Sequence, residues 1–185
     1  MGTFVVLLRG INVGGHNKLP MADLRAALTA AGLEDVQTYI QSGNVIVSAE
    51  AANADVVGAQ VRSVIATDFG LDVPSMALTA DELADVARQN PYPDESDPRR
   101  VHAIVLPHAP GADVLDAVAQ RQAAVEAKGS RDTVTVIGRV AYLHTPDGFG
   151  TSELAKTLTS GARAPLADGT ARNWASVTKL LELCR

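Results

Sequence analysis

The chain has 185 residues, room for one domain or two small ones at roughly 100 to 200 residues each, and 46% of them are hydrophobic against 20% charged. That balance excludes a disordered chain, the single Cys184 excludes a disulfide framework or a Cys-rich zinc site, and no apolar run approaches the ~20 residues that span a bilayer. The net charge of −5 lies in residues 1–89, while residues 90–185 balance, so no whole-molecule field attracts nucleic acid.

In chain order, Thr3 to Arg9 is a continuous apolar run of strand length. Pro20 to Ala31 sets Met21, Leu24, Leu28 and Ala31 on one helical face, with Gly32 as the stop. Val36 to Ile40 and Val45 to Ser48 flank the turn formers Gln41, Ser42, Gly43 and Asn44, which predicts a hairpin. Ala54 to Phe69 repeats Val57, Val61, Val64 and Ile65 at helical spacing and stops at Gly70. Val73 to Leu78 reads as an edge strand because of Pro74, and Thr79 with Glu82 forms a capping-box signature that opens another helix.

Between Asn90 and Pro98 three prolines deny helical continuation and three acids favour water, so the internal boundary is placed there. The expected division is 1–90, a linker over 91–100, and 101–185. Beyond the linker, Val101 to Leu106 reads as a strand and Asp113 to Ala127 as a helix. Val134 to Ile137 and Val140 to Leu143 form a hairpin around Gly138-Arg139. Helices follow over about Ser152 to Thr159 and Trp174 to Cys184, the second capped by Asn173. The fold class expected is α+β, with two ferredoxin-like halves of β-α-β-β-α-β type, mostly antiparallel sheets and extra C-terminal helices.

This topology inserts the third strand between the first and second. The Gly10 to Lys18 loop and the Gln41 to Asn44 turn should then meet at one sheet edge. That edge collects Arg9, Asn12, Asn17, Lys18, Gln41, Ser42 and Asn44 beside Gly10, Gly14, Gly15 and Gly43, a cationic, amide-rich set suited to an anion or a polar ring. A plain cluster of tight turns is the competing explanation. A second cationic element, Arg172-Asn173-Trp174 with Lys179, opens the last helix, where free amides and the positive dipole end favour an anion.

Several chemistries find no support. Gly10 and Gly15 have P-loop spacing, but His16-Asn17 stands where Lys and Ser/Thr must hold phosphate and Mg²⁺. No dinucleotide fingerprint follows the first strand. His16, His102, His108 and His144 form no i, i+4 pair, so no metal site is expected, and Cys184 reads as packing.

Four motifs in order, LLRGINVGG (Leu7 to Gly15), TYIQSGNV (Thr38 to Val45), GFG-x-S-x-L (Gly148 to Leu154) and RNW-x-x-V-x-KL (Arg172 to Leu180), span nearly the whole chain. With them the chain resembles the bacterial family called domain of unknown function 1697. The resemblance implies a ferredoxin-like α+β arrangement and no particular activity. It singles out Arg9, Gly10, Asn12, Gly14, Gly15, Gln41, Ser42, Gly43, Asn44, Arg172, Asn173, Trp174 and Lys179. It also marks departures: His16 and Glu153 stand where such proteins often carry lysine, and Ala175 where asparagine is common.

The resulting expectation is a cytoplasmic protein that binds a small polar or phosphorylated ligand through Arg9 to Lys18 and Gln41 to Asn44, completed by Arg172 and Lys179 if the two motifs share a site. No cofactor and no membrane partner are implied, and enzymatic activity and oligomeric state are open. A nucleic-acid module ranks second, stacking on Trp174 and using the basic residues Lys156, Arg163, Arg172, Lys179 and Arg185, a local excess of +3. A structural or interaction protein ranks third.

Overall fold

A computed structural model of the chain describes residues 1–14, 17–51 and 53–184. Its elements divide between two compact units, one of Met1–Asp85 with the chain from Lys179 onward, the other of Val86–Thr178. Among the described residues there are two four-stranded antiparallel sheets and six α-helices. No helix is long and apolar enough to cross a membrane.

The first unit runs β1 (Gly2–Leu8), α1 (Met21–Ala30), β2 (Glu34–Tyr39), β3 (Asn44–Ala49), α2 (Ala54–Phe69), β4 (Ser75–Thr79) and the start of α3 (Ala80–Arg88). Its sheet order is β2-β3-β1-β4, so the third strand lies between the first and second, as the topology argument requires. Strand β1 reads as an unbroken apolar run because Phe4 through Leu8 are all buried, on both faces of the sheet. On one face Phe4, Val6 and Leu8 pack with Leu24 and Leu28 of α1 and with Val57, Val61 and Ile65 of α2. Each such burial contributes about 1.5–3 kcal/mol.

Helix ends follow local chemistry. The Asn53 carboxamide accepts from the Val56 N–H (3.1 Å) to start α2. Helix α1 stops in a Schellman turn in which Gly32 N–H bonds Thr29 O and Leu33 N–H bonds Leu28 O, geometry that puts Gly32 at φ +88°. The Thr79–Glu82 capping box forms as read: Glu82 Oε2 accepts from Thr79 N–H (2.8 Å) and Thr79 Oγ1 from Glu82 N–H (3.1 Å). Strand β4 lies at the sheet edge but starts after Pro74 rather than at Val73.

The second unit contains β5 (Val101–Val105), α4 (Ala112–Glu126), β6 (Thr133–Ile137), β7 (Val140–His144), a 3₁₀ turn over Phe149–Thr151, α5 (Glu153–Thr159), β8 (Thr170–Asn173) and the start of α6 (Trp174–Leu183). Its sheet order is β6-β7-β5-β8. Strand β8 was not anticipated as an element: four residues, Thr-Ala-Arg-Asn, offer no apolar run, and it forms because β5 supplies a ladder from His102–Asn173 to Val105–Thr170. The core on the helix face joins Ile104, Leu143, Val118, Leu154 and Leu158.

Two further features of this unit are its outer strand and the segment that leads into β5. The edge strand β6 is regular and uncharged, and Gln122 of α4 caps it by accepting from the Val134 N–H (2.8 Å) while its Nε2 donates to Glu126 (2.8 Å). The acids expected to keep 90–98 in water also do not all do so. The Glu95 side chain is only 12% exposed and accepts from His144 Nε2 (2.8 Å), with the Tyr92 ring stacked on His144 and its hydroxyl bonded to Thr133 and Thr135. An apolar-side anchor and a paired carboxylate hold a segment that composition alone reads as solvated.

Candidate functional site

The loop after β1 and the turn before β3 do meet. Leu8 N–H donates to Gly43 O (2.8 Å) and Arg9 N–H to Pro74 O (3.0 Å), which seats Arg9 between the hairpin turn and the approach to β4. The Asn12 side chain then staples loop to turn: its Nδ2 donates to Gln41 O (2.9 Å) and Leu19 O (3.0 Å), and its Oδ1 accepts from Leu19 N–H (2.9 Å). Asn17 closes the loop from the other side by donating to Gly10 O (3.0 Å).

These bonds demand a backbone that L-residues rarely adopt. Gly10, Asn12, Gly14, Asn17, Ile40 and Gly43 all have φ between +47° and +82°. Asparagine tolerates this region, whereas β-branched Ile40 at +51° is strained by about 1–3 kcal/mol. Glycine at 43 is required twice over, because a Cβ there would lie 2.7 Å from both Leu8 Cβ and Ile11 Cδ1.

The polar residues at this edge divide by exposure. Asn44 is fully buried, with its Nδ2 donating to Tyr39 O (3.0 Å) and Ser42 Oγ (3.2 Å). Gly10, Gly14, Lys18, Gln41 and Ser42 are exposed, and Arg9 is half-buried. Gly15 and His16 lie outside the described residues. Two apolar side chains stand out in the same place, Val13 at 65% exposure and Ile40 at 50%. Reading Ile40 as a strand residue concealed this; no local signal tells a β-branched side chain at a strand end from one turned into solvent.

The C-terminal motif runs from β8 into α6. Arg172 lies in β8, is 8% exposed, and donates from Nη1 to Ala171 O (2.9 Å); burial brings its pKa down to about 10. Asn173 Oδ1 accepts from Ser176 N–H (2.9 Å) and so caps α6 as expected. The half-buried Trp174 ring lies 6.4 Å from Tyr142, and its backbone N–H donates to Pro98 O (3.0 Å). Lys179 is exposed and pairs with Glu182 (3.0 Å) one turn on, and Arg185 lies outside the described residues.

Other titratable groups are held by packing. His102 stacks on Phe149 at 4.1 Å, and burial pushes its pKa down to about 4. Ser152 donates to the buried Asp132 (2.7 Å) and accepts from Ala155 N–H to cap α5. Among the described residues no cluster of three His, Cys, Asp or Glu side chains is placed to hold a metal ion.

Residues 1–142 match a family described as "Protein of unknown function (DUF1697)". No curated protein matches the chain. Among solved structures, the conserved bacterial protein SP0830 from Streptococcus pneumoniae is similar with a TM-score of 0.72 at 24% identity, covering 100% of this chain and 98% of its own. That likeness concerns the fold.

Proposed function

We propose a ligand-binding function for this chain, which belongs to the protein family of unknown function DUF1697. The ligand is a small polar or phosphate-type anion, taken at the edge where the β1–α1 loop meets the Gln41–Asn44 turn. The observation that carries this reading is the Asn12 staple: one side chain spends three hydrogen bonds to fix loop against turn, in a segment dense with left-handed backbone. Strain of this kind persists where the surroundings over-determine it, and it clusters at binding sites.

In this reading Asn12, Asn17, Asn44 and Gly43 position the site. Arg9, Lys18, Gln41, Ser42 and the exposed backbone of Gly10 and Gly14 meet the ligand. Val13 and Ile40 supply an apolar flank suited to a ring or short chain attached to the anion. The motif resemblance separately singles out Arg172, Asn173, Trp174 and Lys179, which are given no part in this site. Two ferredoxin-like halves are part of the proposal, supported by the repeated element and strand orders. So is a cytoplasmic setting, in keeping with a single cysteine.

The test is a thermal-stability panel of inorganic phosphate, nucleotides and phosphorylated small molecules. A ligand at 100 times its Kd adds about 2.7 kcal/mol of stability, and Arg9→Gln removes the gain while the protein stays folded. No rise in Tm with any anion defeats the proposal.

A further inference from the structure

We propose a second anion site, in the other unit, that takes the phosphate group of a small phosphorylated ligand between Arg121 and Arg163. Both side chains line one open cavity of about 560 Å³, formed by α4, the end of α5 and the 160–164 loop, with Thr157, Ser160 and Gly161 among its walls.

Pairing singles these two residues out. Arg62 pairs with Asp72, Arg99 with Asp97, Arg100 with Glu95 and Arg131 with Asp147, and Arg25 bonds Thr38. Arg9, Arg88, Arg139 and Arg172 also have partners. Among the described residues, Arg121 and Arg163 are the two arginines that no side chain or backbone group satisfies, and they share a cavity. Two guanidinium groups that line one cavity repel, and among the described residues the lining holds no carboxylate to offset them, so an anion entering the cavity meets both.

One arginine near the C-terminal end of α5 would be explained by the partial negative charge of the last carbonyls. A seven-residue helix does not call for two. The remaining donors agree with an oxyanion. The Ser160 hydroxyl and the backbone N–H groups of Ala162 and Arg163 are not spent on other described residues, in a turn that Gly161 enters at φ +92°. The Thr157 hydroxyl, by contrast, donates to Leu154 O (3.2 Å).

The charge of the ligand follows from the count of cations. A carboxylate brings one negative charge, whereas a phosphate monoester brings about −1.5 to −2 at pH 7 and three acceptor oxygens that suit the planar fork of arginine. The cavity also exceeds one phosphate group in size, so a monoester with a compact substituent fits better than the bare ion.

The experiment is a titration of the full chain, ¹⁵N-labelled, with inorganic phosphate and with phenyl phosphate at constant ionic strength, followed by NMR. Saturable shifts at Thr157 to Ala164 are expected, tighter for the monoester. Arg163→Gln and Arg121→Gln should each weaken binding about tenfold. Arg9→Gln should leave these shifts unchanged, so failure here and failure at the β1–α1 edge are read separately. The proposal is overturned if sodium chloride at matched ionic strength reproduces the shifts, if the double variant binds as tightly, or if only a single-stranded oligonucleotide binds, with a steep salt dependence.

Discussion

The two units close their first strand in the same way and then diverge. Leu8 N–H bonds Gly43 O at 2.8 Å in the first, and Leu106 N–H bonds Arg139 O at 2.8 Å in the second. From that shared bond, the first unit spends residues 9–20 to reach α1, whereas the second spends 106–111 to reach α4. The longer connection holds most of the left-handed backbone at the edge, and with the turn it carries the exposed Val13 and Ile40. A common topology therefore supplies the same edge twice and elaborates it once. The elaboration is anchored from within, because Ile11 and Leu19 of the longer connection are buried in the core while the residues between them reach the surface, as in binding loops held on a rigid scaffold.

The largest test concerns the two turns. Gly43→Ala adds a Cβ 2.7 Å from Leu8 and Ile11 at φ +82°, so strain and overpacking together should cost about 4 kcal/mol in urea unfolding. Gly138→Ala, at φ +56° with open space around it, should cost only about 1 kcal/mol. Equal losses would erase the distinction between a turn packed under a loop and a free one.

Acid should act on the second unit. Counting back from the equivalent leucines sets Phe4 against His102, a buried ring against a half-buried titrating one. His102 is held neutral with a pKa of about 4, while the unfolded chain takes up that proton near 6.5. Stability is therefore fully present above pH 6.5 and falls between 6.5 and 4, by up to about 3 kcal/mol. His102→Phe should flatten this part of the pH profile; a slope that survives the substitution refutes the assignment.

Smaller effects sharpen the same contrast. Asn12→Ala should cost about 1–2 kcal/mol and speed amide exchange at Leu19, which loses its acceptor, while the 106–111 connection stays protected. Thr79→Ala should remove one half of a capping box for about 1 kcal/mol and leave exchange in the β1–α1 loop unaltered.

Much of this was legible where chemistry is local. The capping box, the Asn173 cap and the Gly32 stop are each written in adjacent residues, and strand β1 in its apolar run. The meeting of the Gly10–Lys18 loop with the Gln41–Asn44 turn followed from topology. Three things were not legible. Strand β8 exists only because β5 offers a ladder to a half-polar tetrapeptide. Glu95 leaves water only because His144, about fifty residues on, is there to receive it. The division of the edge into Asn12, which braces, and Lys18, which is exposed, depends on distances that composition does not carry.

The amide of Gln122 also occupies a sheet edge that another strand could otherwise pair with. Strand β6, Thr-Val-Thr-Val-Ile, has every residue β-branched and no charge, the composition that recruits a neighbouring strand into a growing sheet. The corresponding edge strand of the first unit, β2, is protected by Glu34, by Asp35 at φ +49° and by a break in register between Glu34 and Gln37. Strand β6 has none of these. An arriving strand finds the Val134 N–H already bonded, and must displace a carboxamide that Glu126 holds in place. At Val134 this edge is thus closed by one neutral side chain on the adjoining helix.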